Sequence, residues 1–183
     1  MPVPSVDFKK ELKNLTDKEK EAIILKAVRR DAELYDLLAY ELLPDWTLEK
    51  VMEESSEKIH DHMYGLTGRN LAKSITRSFR KSVKEIARFK RITKDNKAEI
   101  DLNLYLLRLI FDNFTSQFES RYKSFFVATA RLLVRTIKLI QKHLHPDYHL
   151  EYKADLDNYL SQINSRSKSG QLTFPIPFSF EIE

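Results

Sequence analysis

Cysteine is absent from this 183-residue sequence, and its absence excludes disulfide bonds, thiol nucleophiles and thiolate metal sites. Glycine is scarce, with three residues in the whole chain, whereas proteins contain about 7% glycine on average. Phosphate-binding loops, dinucleotide-binding turns and nucleophile elbows use glycine because it lets the backbone approach a ligand closely. The composition therefore argues against most nucleotide-dependent enzymes.

Long apolar runs are also missing. A membrane-spanning helix needs about 20 consecutive apolar residues, and Arg131 and Arg135 interrupt the richest apolar stretch. The first residues, MPVPSVDFKK, lack the apolar segment of a secretory signal. Hydrophobic residues make up 42% of the chain and charged residues 32%, which is typical of soluble globular domains. We therefore expect a cytoplasmic protein with a single domain over 1–170 and no contact with a membrane.

Helical periodicity runs along most of the chain. Thr16 and Glu19 have the spacing of a capping box, which marks the start of a helix. Pro44 and Pro146 are predicted to end the helices before them. We predict an all-α fold, an irregular bundle of seven or eight helices. The predicted helices are 7–14, 17–29, 32–43, 47–63, 70–91, 98–118, 121–144 and 151–164.

The N-terminal part of this bundle has a pattern of its own. The stretch LTDKEKEAIILKAVRRDAELYDLLAYELL resembles the helix hairpins of helical-repeat scaffolds. A clear second copy does not follow downstream. The architecture we predict is therefore an irregular bundle that is repeat-like at its N-terminus, with a true solenoid as the alternative.

The segment 69–97 is strongly basic. It holds eleven Lys or Arg against Glu85 and Asp95, so it carries +9, whereas the whole chain carries +4. On the predicted helix the cations lie opposite an apolar stripe. Such a row attracts polyanions, because each neutralised phosphate releases a counterion. The predicted binding residues are Arg69, Asn70, Lys73, Arg77, Arg80, Lys81, Lys84, Arg88 and Arg91.

The basic row has alternative interpretations. One is a solvated outer face, paired in part with the acidic ridge predicted on the preceding helix. That ridge consists of Glu49, Glu53, Glu54, Glu57 and Asp61. Another is a membrane surface, but a helix lying on a membrane exposes large apolar side chains beside its cations. Here the apolar stripe is predicted to face the core, so the solvated face and an anionic partner stay open.

A glycine turn precedes the basic row. The residues YGLTGRNLAKSI contain Gly65 and Gly68 and resemble the glycine loop of KH domains. In those domains the backbone amides clamp a sugar-phosphate backbone. The long helices predicted on both sides of this turn depart from the KH fold. Amides at the start of the helix, with Arg69, Asn70 and Lys73, would also suit a phosphate; a simple helix-to-helix turn is the alternative.

The five histidines fall in two clusters, HDH at 60–62 and HLHPDYH at 143–149. Neither has the i, i+4 pair of a helical zinc site, because His60 and His62 point apart and Pro146 interrupts the second cluster. Glu57 and His60 have the Glu-x-x-His spacing of di-iron bundles, but the chain lacks a second such motif. We therefore predict no metal and no cofactor.

The chain ends in SGQLTFPIPFSFEIE, where apolar residues occupy every second position from 172 to 182, the period of a strand. Pro175 and Pro177 remove hydrogen-bond donors from one edge, so that edge does not extend a sheet. We predict an extended arm over 171–183 that packs on its own body, on a second copy in a homo-oligomer, or on another partner. Its predicted contact residues are Leu172, Phe174, Ile176, Phe178 and Phe180.

These observations favour a non-catalytic helical interaction or scaffold protein. Its predicted contact surface is the basic helix within 69–97, and the predicted partner is nucleic acid first and an acidic protein second. One alternative is a purely structural protein that forms a homo-oligomer through its C-terminal arm. The other is an unrecognised enzyme or a metal-binding helical bundle.

Overall fold

The computed structural model describes residues 3–120, 123–167 and 172–181. The chain divides into two compact units, Met1–Trp46 and Thr47–Glu183. The described residues form eight α-helices, one short 3-10 helix and no β-strand, which confirms the predicted all-α fold. The prediction of one domain over 1–170 stays a prediction.

The first unit contains three short helices, α1 (Val6–Asn14), α2 (Asp17–Val28) and α3 (Ala32–Leu42). Each follows a residue whose side chain accepts a hydrogen bond from the first backbone amides, namely Ser5, Thr16 and Asp31. The predicted capping box of Thr16 and Glu19 is present. Among the described residues of this unit only Ala39 is buried, so its helices share little apolar core.

The second unit contains five longer helices and the 3-10 helix. They are α4 (Leu48–Met63), α5 (Leu71–Thr93), α6 (Asn96–Asn113), the 3-10 helix (Thr115–Glu119), α7 (Ser124–His143) and α8 (Pro146–Arg166). Helix α6 is central because it packs against α4, α5 and α7, as its apolar circumference predicts. Within the described ranges, no helix has the length and apolar character needed to cross a membrane.

Phenylalanine rings fill the core where the 3-10 helix meets α7. The ring centroid of Phe118 lies 5.6 Å from those of Phe125 and Phe126. Phe79 of α5 meets Phe125 edge-on at 6.2 Å, and all four rings are buried. Edge-on and tilted aromatic pairs of this kind are favourable. The contact between Phe79 and Phe125 packs α5 beside α7, so the solvent-exposed sides of these two helices are neighbours.

Two predicted helix boundaries are wrong. Helix α6 ends at Asn113 rather than at 118, and the tighter 3-10 helix still brings Phe118 into the core. The four-residue spacing of Phe114 and Phe118 therefore does not require a continuous helix. Helix α8 begins at Pro146 rather than at 151, because a first helical residue needs no amide donor and proline already has the helical φ. Helix α7 begins at Ser124, and 121–122 lie outside the described residues.

The C-terminal segment 172–181 is held by hydrogen bonds from α8. The side-chain amide of Asn164 donates to the carbonyl of Pro177 at 3.0 Å. Lys153 Nζ donates to the carbonyl of Phe180 at 2.8 Å, and the amide of Phe180 donates to Asp157 Oδ1 at 2.6 Å. The described part of the predicted arm thus lies on the helices of its own unit.

Side-chain burial in this segment follows the predicted alternation only in part. Leu172, Phe174 and Ile176 are half-buried, and the residues between them are exposed. Phe178 departs from the alternation, since its side chain is 88% exposed beside a bend of the chain at 178–179. Phe180 is buried beyond the bend, whereas 171 and Ile182 lie outside the described residues.

Candidate nucleic-acid interface

Helix α5 buries one side and exposes cations on the other. Successive residues turn by about 100°, so apolar residues three and four positions apart share one side. The buried apolar side consists of Ile75, Phe79, Ile86, Phe89 and Ile92. The exposed cations are Lys73, Arg77, Arg80, Lys81, Lys84 and Arg91, and Arg88 is half-buried. The helix therefore presents its charge to solvent along its length.

Most of this row is not neutralised by the residues that the structure describes. None of Lys73, Arg77, Arg80, Lys81 and Lys84 pairs with an acid that the structure describes. The one acid on α5, Glu85, has other partners: Arg88 Nη1 lies 2.7 Å away, Lys58 Nζ lies 3.6 Å away, and the hydroxyl of Ser55 donates to it. The field of these five cations is therefore available to an anionic partner.

The acidic ridge of α4 does not pair with the basic row in the described residues. Glu49, Glu53 and Glu57 are exposed. In the ion pair described between these two helices, α4 supplies the cation, Lys58, and α5 supplies the acid, Glu85. Partial neutralisation of the row by α4 therefore finds no support in these contacts.

A second row of cations lies on α7 and the residue before it, beside α5. Lys123, Arg131 and Arg135 rim a groove of about 520 Å³ together with Arg80 of α5. The floor of this groove is apolar and consists of Phe79, Val83, Val127, Ala128 and Leu132. We call this feature the α5–α7 groove. It combines cations at the rim with apolar side chains at the bottom.

The cationic rim continues along α7 into a second cavity of about 590 Å³. This cavity shares Arg131 and Arg135 with the α5–α7 groove. Its further lining includes Lys138 and Lys142 of α7, and Phe174 of the C-terminal segment. The α7 cations therefore form a path that begins beside α5 and ends at the docked segment.

Arg131 and Arg135 of this path are each held by a contact with another side chain. Arg135 Nη2 donates to Oε1 of the buried Glu99 at 2.8 Å, and Lys90 Nζ lies 3.5 Å from the other carboxylate oxygen. The guanidinium of Arg131 lies 5.4 Å from the centre of the Phe174 ring, a cation–π contact. Side chains held in this way lose less conformational entropy when an anion binds.

The turn before α5 has the backbone conformation that glycine permits. Gly65 and Gly68 have φ values of +65° and +104°, which other residues rarely adopt. Arg69 and Asn70 are exposed, and the Asn70 side chain makes no capping hydrogen bond. The geometry fits a helix-to-helix turn, and a phosphate contact by Arg69 and Asn70 stays a prediction.

The histidine clusters do not assemble a metal site among the residues described. No three His, Asp or Glu side chains there are grouped so that they could hold an ion. His60 stacks on Tyr64 with ring centroids 5.1 Å apart. His149 is buried, with its Nε2 3.2 Å from the carbonyl of Leu144. Each of these rings therefore has a packing role.

Sequence reasoning missed Lys123 and the floor of the α5–α7 groove. A signal was present, because Lys123, Val127, Arg131 and Arg135 recur every four residues along one edge of α7. That spacing does not say which helix lies beside the edge. Only the packing of α5 against α7 shows that Arg80 of the α5 row and the α7 cations border one groove.

Comparisons of the chain with protein-family models, with curated proteins and with solved structures found no match. The function must therefore be inferred from the chain's own residues. Their clearest chemistry is the exposed positive charge of α5 and α7.

Proposed function

We propose that the protein is a non-catalytic interaction module that binds nucleic acid through a cationic surface on α5 and α7. The surface consists of Lys73, Arg77, Arg80, Lys81, Lys84, Lys123, Arg131, Arg135, Lys138 and Lys142. The observation that carries the proposal is the row of five exposed α5 cations without an ion pair to any described acid.

The density of charge on α5 favours a polyphosphate. Lys73 and Lys84 are eleven positions apart, which is about 16 Å along the helix axis. The five cations therefore supply one positive charge about every 4 Å. A nucleic acid presents a regular row of phosphates, each of which releases a counterion when a cation neutralises it. A dense row of cations therefore suits a regular polyanion.

The row of α5 cations also lowers the stability of the helix, and a face that only needs to be solvated does not require this loss. Its members form like-charge pairs three or four residues apart: Lys73–Arg77, Arg77–Arg80, Arg77–Lys81, Arg80–Lys84 and Lys81–Lys84. Each such pair destabilises a helix by about 0.2–0.5 kcal/mol, so the five pairs cost the helix about 1–2.5 kcal/mol. Interspersed acids would give the same solubility without this cost. A bound polyanion reduces the repulsion between these cations.

The test is fluorescence anisotropy of labelled single- and double-stranded oligonucleotides at several salt concentrations. We expect micromolar binding that weakens with salt, with a log–log slope of about −0.7 per phosphate contact for single strands. Changing Lys73, Arg77, Arg80 and Lys84 together to glutamate removes four contacts. The slope should therefore become less steep by about 3, and the affinity should fall at least tenfold.

A matched variant separates this surface from net charge. Lys9, Lys10, Lys13 and Lys18 are exposed in the first unit, and their change to glutamate alters the net charge by the same amount. These four lysines do not belong to the proposed surface, so at about 0.15 M salt this control should retain most of the binding. Equal losses in the two variants, or no binding by the unmodified protein at low salt, would overturn the proposal.

A further inference from the structure

The apolar floor of the α5–α7 groove indicates which form of nucleic acid binds to the cationic surface. We infer that this form is a single strand, whose bases lie against the apolar floor while its phosphates meet the cationic rim; the inference rests on the proposed function. The floor is partly open to solvent, because Val83, Val127 and Ala128 are half-exposed. Phe79 and Leu132 are buried beneath it.

The apolar floor does not match the surface of a double helix. Its bases are stacked inside the helix, and the surface that it presents to a protein is mostly sugar and phosphate. A duplex on the cationic rim would therefore leave the half-exposed floor without an apolar partner. An unpaired strand offers the flat faces of its bases, and burying them against apolar side chains is favourable.

The two rims of the groove support the same assignment. Arg80 lies on the α5 side, and Lys123, Arg131 and Arg135 lie on the α7 side. A strand lying between them has cations on both flanks for its phosphates and an aliphatic surface below, against which the faces of its bases bury apolar area. The planar guanidinium of Arg131, held over the Phe174 ring, also presents a face on which a base stacks.

The second cavity extends the track beyond the groove. It shares Arg131 and Arg135 with the groove and continues past Lys138 to Lys142. The positions from Lys123 to Lys142 span about 28 Å along α7 at 1.5 Å per residue. The track therefore accommodates several consecutive nucleotides, so one strand meets both the apolar floor and the α7 cations.

The experiment compares equal-charge probes on the full-length protein at about 0.15 M salt. The probes are labelled oligothymidylate, oligouridylate, a duplex with the same number of phosphates, and oligoglutamate of matched charge. We expect the oligothymidylate or the oligouridylate to bind at least about fivefold more tightly than the duplex, since burial of about 40 Å² of apolar surface contributes about that much. Oligoglutamate should bind more weakly than either strand, because it has no bases for the floor.

Two variants of the floor complete the test. Changing Val83 and Val127 together to glutamine keeps the charge and removes the apolar floor, whereas Ala128→Met keeps the floor apolar and fills the groove. Both should weaken single-strand binding about fivefold and duplex binding less than twofold, because only the strand buries apolar surface on the floor. Leu150→Gln, at an exposed position of α8, is the control and should change neither. Melting curves check that each variant is folded.

The outcomes separate this inference from the proposed function. Duplex binding as tight as strand binding, or floor variants with unaltered strand affinity, overturn the inference and leave nucleic-acid binding intact. Oligoglutamate that binds as tightly as the strands also overturns it, since the groove then selects charge alone. Absence of binding to every nucleic acid overturns the proposed function itself.

Discussion

Phe180 anchors the C-terminal segment, and we expect Phe180→Ala to destabilise the protein. The ring is 1% exposed, and its centroid lies 5.7 Å from that of His149. The Phe180 backbone is bonded on both sides, to the carboxylate of Asp157 and to the ammonium of Lys153. Truncating the side chain leaves both hydrogen bonds possible, so the substitution isolates the apolar contribution of the ring.

The magnitude follows from the burial of Phe180 and its place in the chain. Full burial of a phenylalanine side chain contributes about 1.5–3 kcal/mol. In a closed core, Phe→Ala costs about 3–5 kcal/mol because a cavity is left behind. A terminal segment can detach instead, so the cost is limited to the free energy with which the segment docks. We expect a loss of about 2–3 kcal/mol, which lowers the melting temperature by about 5–10 °C in a chain of this size.

Urea unfolding followed by far-UV circular dichroism measures this loss. Phe178→Ala is the matched control, because it makes the same chemical change two residues away on a ring that is 88% exposed. The control should change the free energy of unfolding by less than about 0.5 kcal/mol. A chain that ends at 171 should lose at least as much stability as Phe180→Ala. Equal stability of Phe180→Ala and Phe178→Ala would refute docking through the Phe180 ring.

Two further predictions concern carboxylates that join separate parts of the second unit. Glu99→Gln removes the charge that holds Arg135 and Lys90, and urea unfolding should show a loss of about 1–2 kcal/mol, because the half-exposed Arg135 regains part of its hydration. The pKa of Asp157 lies below its ordinary value of 3.8, mainly because the Phe180 amide donates a hydrogen bond to its carboxylate. Its contribution to stability is therefore complete above the unfolded pKa and is lost as the pH falls through the lower folded pKa. The stability deficit of Asp157→Asn should be constant above about pH 5 and shrink below about pH 4.

Each of these two predictions has a contradicting result. For Glu99 the comparison is Glu57→Gln, which makes the same change at an exposed position of α4 and should be neutral. An equal loss in both variants would mean that burial of Glu99 beside Arg135 has no special role. For Asp157, a deficit that stays unchanged from pH 7 to pH 2 would show that its lowered pKa is unrelated to stability.

Local features of this chain are readable from the sequence because short-range physics determines them. The capping box of Thr16 and Glu19 needs only a hydroxyl and a carboxylate three residues apart. The two sides of α5 follow from helical periodicity alone, since a helix with so clear an apolar stripe buries that stripe. The fold class and the exposure of the cationic row were therefore predictable.

Features that depend on neighbouring elements were not predictable in the same way. Pro146 ends one helix pattern and starts the next helix, and the sequence signal for a stop is the same as that for a first helical position. In the C-terminal segment, alternation treats Phe178 and Phe180 alike. The bend of the chain and the hydrogen bonds from Lys153 and Asp157 expose one ring and bury the other.

The use of acidic residues in the second unit links its stability to its proposed function. Glu85 and Glu99 are two acids that meet cations of α5, and each lies within ion-pair distance of two described cations. Their partners on α5 are Arg88 and Lys90, near the end of the helix, where Glu85 also meets α4 and Glu99 also meets α7. The cations from Lys73 to Lys84 receive no such partner among the described residues. Because α5 pairs Arg88 and Lys90 where it joins its neighbours, and no described acid pairs with the stretch from Lys73 to Lys84, we propose that this stretch serves a partner outside the chain.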